Sequence, residues 1–230
     1  MHSEFLHLNR PEGGVSYDRR LSPEELYEQP MTIIATVHDG KGTVLVGADS
    51  AQMNSDNHSE SASLELVDKL SRLGDHLLVW GWHGSDGQGD RSGAYLEASA
   101  DAVDGWPSLV ESAVAAVKRA NSEGWIQTPN SRTQCLIAGL IGEEVGLLTV
   151  DADGRAKQSS DALFLGWGRV AALVGWRVSE TQDASTSFQE RFTCVMNTTI
   201  DVVVGLERPL SLWRVRSGEC EPLASIESGP

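Results

Sequence analysis

Thr32, Asp49 and Lys69 have the side-chain types of an activated hydroxyl nucleophile. A threonine hydroxyl is a poor nucleophile at neutral pH and needs a base. With Thr32 as the first residue, its own α-amine could be that base. An α-amine titrates at about 7.7–8.0, so an appreciable fraction is unprotonated near neutrality. A neighbouring ammonium lowers that value by like-charge repulsion, and Lys69 is the candidate. Asp49 would hold the lysine charged and oriented. The same residues have a plainer reading, as a strand residue, a turn former and a solvated charge. Their spacing alone leaves both readings open.

The elements around these residues decide whether they meet. TIIATVH (32–38) reads as a strand, DGKG (39–42) as a turn, and TVLVGADS (43–50) as a second strand, which together make a hairpin. In an antiparallel hairpin the start of the first strand lies beside the end of the second, so Thr32 and Asp49 are expected to be close. Lys69 lies in LELVDKLSRL, ahead of a Gly74-Asp75 turn and a strand over HLLVWGW (76–82). The polar stretch QMNSDNHSESAS (52–63) reads as a loop.

After HGSDGQGD (83–90) the pattern turns helical. Pro107 opens a stripe of Leu109, Val110, Ala113, Val114 and Val117. TQCLIAGLIG, EVGLLTVD and ALFLG read as strands and RVAALVGWRVSE as a helix. IDVVVGL and LSLWRV read as strands again. LSPEELYEQP, with Ser22 as N-cap and Pro23 next to it, predicts a short helix. Strands, helices, strands, helices and strands in that order predict an α+β layered fold, not a βαβ winding.

Composition narrows the chemistry further. The net charge of −15 and pI of about 4.7 oppose binding to a phosphate backbone, so no nucleic-acid partner is expected. Cys135, Cys194 and Cys220 form no CxxC, and their odd number points to a reducing compartment. The histidines have no HExxH spacing. No stretch has the length and apolarity of a membrane span, and MHSEFLHLNRPEGG does not read as a secretory signal; a cytoplasmic protein is expected. Gly166-x-Gly168-x-x-Ala171 has the local shape of a dinucleotide fingerprint but lacks the βαβ unit and the following acidic strand end. Those glycines read as a tight strand-to-helix turn.

MTIIATV, GTVLVGADSA, LVDKLSRLGDHLLVWGWHGSDGQGD and CLIAGLIGEEVGLLTVDADG, in that order, resemble the proteasome β-subunit family and its bacterial relatives, which are N-terminal-nucleophile hydrolases. The resemblance runs from about residue 31 to 205. It implies a four-layer αββα sandwich and threonine-type hydrolysis of peptide or unfolded-protein substrates, with no metal or cofactor. It also implies a homo-oligomeric ring or partner subunits of the same type. By position, Thr32 matches the nucleophile, Asp49 in GADS its acidic partner and Lys69 in VDK its lysine. Gly84 in WHGSD falls where a backbone N–H stabilises the oxyanion.

The chain departs from the family in places. Met31 stands where self-processing relatives have glycine, Trp167 and Arg169 where serines are common, and the late segment CVMNTT (194–199) has neither aspartate nor serine. An inactive ring subunit of the same fold is therefore the alternative. Residues 1–31 are expected to be an N-terminal extension: a propeptide, a stretch upstream of a true start at Met31, or a permanent leader. The domain is expected over 32–216, with a tail over 217–230. Helices around 86–120 are expected to carry the exposed apolar residues that such an assembly buries.

Overall fold

A computed structural model of the chain describes residues 32–54, 63–84, 86–123, 132–181, 185–203 and 205–226. The short helix expected from LSPEELYEQP lies outside these residues.

β1 (Ile33–His38) and β2 (Val44–Ala48) form the expected hairpin, with Ile34 opposite Ala48 and His38 opposite Val44. The DGKG turn uses left-handed backbone at Gly40 and Gly42. β1 and β2 belong to a five-stranded antiparallel sheet of order β10-β1-β2-β11-β12, where β10 is Ala162–Gly166, β11 Leu210–Arg216 and β12 Glu219–Ile226. A second antiparallel sheet runs β5-β6-β7-β8-β9, from β5 (Leu70–Arg72) through β6 (Leu77–His83), β7 (Gln134–Ile141) and β8 (Glu144–Val150) to β9 (Ala156–Ser159).

The alternation along β1 shows how the layers meet. Ile33, Ala35 and Val37 pack with Ala172, Trp176, Phe192 and Met196. These lie on helices α3 (Arg169–Ser179) and α4 (Phe188–Val202). Ile34, on the opposite face, packs with Leu70, Val79, Leu136 and Leu147 of the second sheet. Both faces of β1 are covered, which is why it reads as an unbroken apolar run. The far face of the second sheet packs Trp80, Ile137 and Leu148 against Leu96 of helix α1 (Asp86–Ala98) and against Trp106, Leu109 and Val117 of helix α2 (Trp106–Glu123).

Several elements differ from the sequence expectation. Residues 52–54 of the expected loop fall in β3 (Ala51–Asn54), which pairs with β4 (Ser63–Leu66); AQMN and SLEL each alternate apolar and polar residues over only four positions. Helix α1 begins inside the glycine-rich HGSDGQGD, at Asp86. A Cβ at Gly89 would overlap the Trp82 indole and one at Gly93 the Trp80 indole, so these glycines allow the helix to lie directly on the rings.

IDVVVGL, expected as a strand, continues α4 as far as Val202. A capping box between Ser187 and Glu190 starts this helix, and burial of Phe192, Val195, Met196, Thr199 and Ile200 at helical spacing overrides the β-branched run. Within the stretch expected as a tail, Glu219–Ile226 form the edge strand β12 on β11. Pro222 concealed it in the sequence, and an edge strand tolerates proline.

Candidate active site

Thr32 immediately precedes β1, and Asp49 immediately follows β2. Asp49 N–H donates to the Ile33 carbonyl at 3.2 Å, and Ile33 N–H donates to Asp49 Oδ1 at 2.9 Å. The hairpin therefore locks the carboxylate beside the start of its own partner strand. Lys69 arrives from the second sheet, one residue before β5. Its Nζ lies 2.9 Å from Thr32 Oγ1 and 3.0 Å from Asp49 Oδ1. Asp49 is fully buried, and Thr32 and Lys69 are 6% and 5% exposed.

An ammonium at that distance from the hydroxyl favours its deprotonated form, and the carboxylate behind compensates the lysine charge in a dry setting. The three residues selected for their chemistry thus occupy one cluster. The alternative of a solvated Lys69 does not hold, since both the side chain and its ion partner are closed to water.

Gly84 follows β6 with φ +134°. A side chain there would meet the Arg132 carbonyl oxygen and Thr133 Cα, each at 2.7 Å. Only glycine fits that conformation and that contact.

The Gly166–Gly168 turn completes the cluster. Trp167 N–H donates to the Thr32 carbonyl at 2.7 Å. At Gly166 (φ +96°) a Cβ would collide with that same carbonyl and come within 3.0 Å of His83 Cδ2. Gly168 is the N-cap of α3, and its open side rests on Ile33, Thr199 and Leu206. The glycine pattern thus serves a strand-to-helix turn that clamps the Thr32 main chain.

Sequence reasoning found the turn but not its hydrogen bond to Thr32, nor the approach of His83. The local signal was a pair of glycines flanking one residue at a strand end. The CVMNTT segment lies within α4, and Thr199 Oγ1 donates to the Val195 carbonyl of its own helix at 2.8 Å. Among the described residues, no three His, Cys, Asp or Glu side chains converge as metal ligands would, and no helix is long and apolar enough to cross a membrane.

No protein-family model matches the sequence, and no curated protein matches it. Solved structures do. Eukaryotic HslV from Trypanosoma brucei superposes with a TM-score of 0.60 at 18% identity, over 80% of this chain and 99% of that one. Anbu, an ancestral beta-subunit from Yersinia bercovieri, superposes with a TM-score of 0.64 at 12% identity, over 80% of this chain and 81% of that one. The fold is that of proteasome β-type subunits. At such identities the likeness is one of fold. Within this proteasome-type fold, the Thr32–Lys69–Asp49 cluster lies where the two sheets meet, at the open end of the β1–β2 hairpin.

Proposed function

We propose that the chain is a threonine-type peptidase subunit of the proteasome kind, acting on peptides or unfolded protein in the cytoplasm. The observation that carries this reading is Lys69 Nζ, held between Thr32 Oγ1 and Asp49 Oδ1 at 2.9 and 3.0 Å. In the proposed reaction Thr32 Oγ1 attacks the substrate carbonyl. Its proton passes to the Thr32 α-amine and then to the leaving amine. Lys69 and Asp49 tune that amine, and Gly84 N–H receives the developing oxyanion.

The three separate hydrophobic clusters support a four-layer αββα stacking: helices on sheet, sheet on sheet, and sheet on helices. They support a single domain that begins at Thr32. Free Cys135, Cys194 and Cys220 agree with a reducing compartment.

Assembly with further copies of the chain is part of the proposal, but through a different surface from the one expected. Val110 and Val114 of α2 are partly buried against the core. Among the described residues, the exposed large apolar side chains are Val170, Leu173, Val174 and Val178 of α3, with Trp167 and Val202. The α3 residues recur on one helical face, opposite the buried Ala172 and Trp176.

A second reading, an inactive subunit of the same fold, draws on Trp167 and Arg169 at the turn and on the internal hydrogen bond of Thr199. The two readings separate on the Thr32 α-amine. While Met31 is attached, the Thr32 nitrogen is an amide with no usable lone pair, and the chain should be silent. A protein whose mass confirms Thr32 as its first residue should cleave fluorogenic peptides, and Thr32→Ala should abolish cleavage. No cleavage and no labelling of that protein by a threonine-directed electrophile would replace the peptidase reading with the structural one.

A further inference from the structure

Asn121 is a buried polar side chain in the last turn of α2, 5% exposed and outside the cluster around Thr32. Its Nδ2 donates to the Thr133 carbonyl at 3.0 Å and to the Ala152 carbonyl at 3.1 Å. Its Oδ1 accepts from Thr133 N–H at 2.8 Å. One side chain therefore holds both main-chain polar groups of Thr133 and ties them to the turn between β8 and β9. Arg132 reinforces that turn through Asp153 Oδ1 at 2.8 Å and the Ala152 carbonyl at 2.5 Å.

Thr133 is fully buried and lies against the end of β6. The space a side chain at Gly84 would need is filled by Thr133 Cα and the Arg132 carbonyl, which presses Gly84 directly on the main chain that Asn121 holds. The Thr133 hydroxyl also faces the His83 carbonyl at 3.5 Å. In a planar trans peptide the carbonyl and the next N–H point in opposite directions. A His83 carbonyl turned toward Thr133 sends the Gly84 N–H the other way.

We propose that Asn121 is a positioning residue for the Gly84 N–H, acting through Thr133. The inference deepens the peptidase reading and rests on it, because the Gly84 N–H matters to turnover only if it receives an oxyanion. An oxyanion donor acts by being preorganised, and a small misplacement is enough to lose much of its effect. The hold on Thr133 supplies that preorganisation from α2, an element that otherwise serves the core.

The test compares Asn121→Ala, Asn121→Asp, Asn121→Ser and Thr133→Val with the parent, each in the assembly that begins at Thr32. Three readouts are taken: kcat and KM on a fluorogenic peptide, affinity for a peptide aldehyde whose adduct carries an oxyanion, and hydrogen exchange of peptides covering 82–84. For Asn121→Ala, kcat should fall about tenfold to a hundredfold with KM within about twofold. Aldehyde affinity should drop in proportion, and exchange at 82–84 should speed up. Asn121→Asp keeps the acceptor for Thr133 N–H but turns a carboxylate oxygen on the Thr133 and Ala152 carbonyls, and should lose at least as much as Asn121→Ala.

Exchange that loosens only at 132–133 and 152, with kcat and aldehyde affinity unchanged, would overturn the proposal. So would equal losses for the aldehyde and for the corresponding peptide alcohol, which forms no oxyanion. If Asn121→Ala does not fold, Asn121→Ser decides, because its short hydroxyl cannot hold the Thr133 N–H, the Thr133 carbonyl and the Ala152 carbonyl together, while Thr133→Val tests only the contact to the His83 carbonyl; unchanged exchange at 82–84 in Asn121→Ser would overturn the proposal. If the parent is silent, the peptidase reading fails on its own, while exchange at 82–84 still reports whether Asn121 sets the geometry of Gly84.

Discussion

Lys69 Nζ and Asp49 Oδ1 lie 3.0 Å apart with their side chains closed to solvent, so neither charge is stable there without the other. Lys69→Met leaves the Asp49 carboxylate buried with the Ile33 N–H still donating to it. It should cost about 3–5 kcal/mol in urea unfolding, the range for breaking one side of a buried pair. Adding Asp49→Asn removes the stranded charge, so the double variant should be less destabilised than the sum of the singles. Full additivity would mean that the pair is not coupled. Restored stability should not restore cleavage, since the ammonium beside Thr32 Oγ1 is gone.

The cysteines allow a second check at this scale. Burial pushes the Cys135 thiol up from 9.0 to about 12, whereas Cys194 is exposed. At pH 8 iodoacetamide should label Cys194 first and Cys135 only after denaturation. The folded value lies above the unfolded one, so the stability due to this group is complete below about pH 9 and declines as pH rises toward about 12. Early labelling of Cys135 would mean that the β7 core opens readily.

Helix α1 tests the reason for its glycines. Helix propensity alone predicts that Gly93→Ala stabilises by about 1 kcal/mol. The overlap of a Cβ with the Trp80 indole reverses the sign, and a net loss of about 1–3 kcal/mol is expected. Gly87 is the control. A Cβ there meets nothing within 4 Å, so Gly87→Ala should be neutral or stabilising by up to about 1 kcal/mol. Thermal melts that place both substitutions on the same side of the parent would remove the close-approach explanation. The same logic applies to α4, where buried positions at helical spacing and a capping box outweigh a run of β-branched residues that favours strand.

At the scale of the molecule, the unpaired α3 face is the feature that a single copy leaves unexplained. Val170, Val174 and Val178 are 64%, 56% and 54% exposed on a helix whose other side is core. Val174→Glu places a charge in the middle of that face without touching the core. Light scattering across a concentration series should show smaller particles than the parent, with unchanged circular dichroism. A parent that stays at 24.8 kDa at every concentration would count against assembly through this helix.

Among the described residues, the hairpin, most strands, helices α1 to α3 and the convergence of Thr32 with Asp49 were legible in the sequence. Each rests on local information: a period of two or 3.6, a glycine turn, and the rule that hairpin ends meet. The strands β3, β4, β9 and β12 were not legible, because the alternation in AQMN and SLEL is only four residues long, AKQS is polar and β12 carries a proline, so backbone pairing holds them with little local signal. Lys69 was nominated by its chemistry and by the family resemblance. Its placement against Thr32, 37 residues away in the chain, follows from the packing of one sheet on the other. The same holds for the Trp167 N–H on the Thr32 carbonyl and for Asn121 behind Gly84. The sequence by itself determined which groups could carry the chemistry and which short segments could present them. The tertiary structure alone decided which groups meet, because contacts between distant segments depend on how the layers stack and not on any period within a segment.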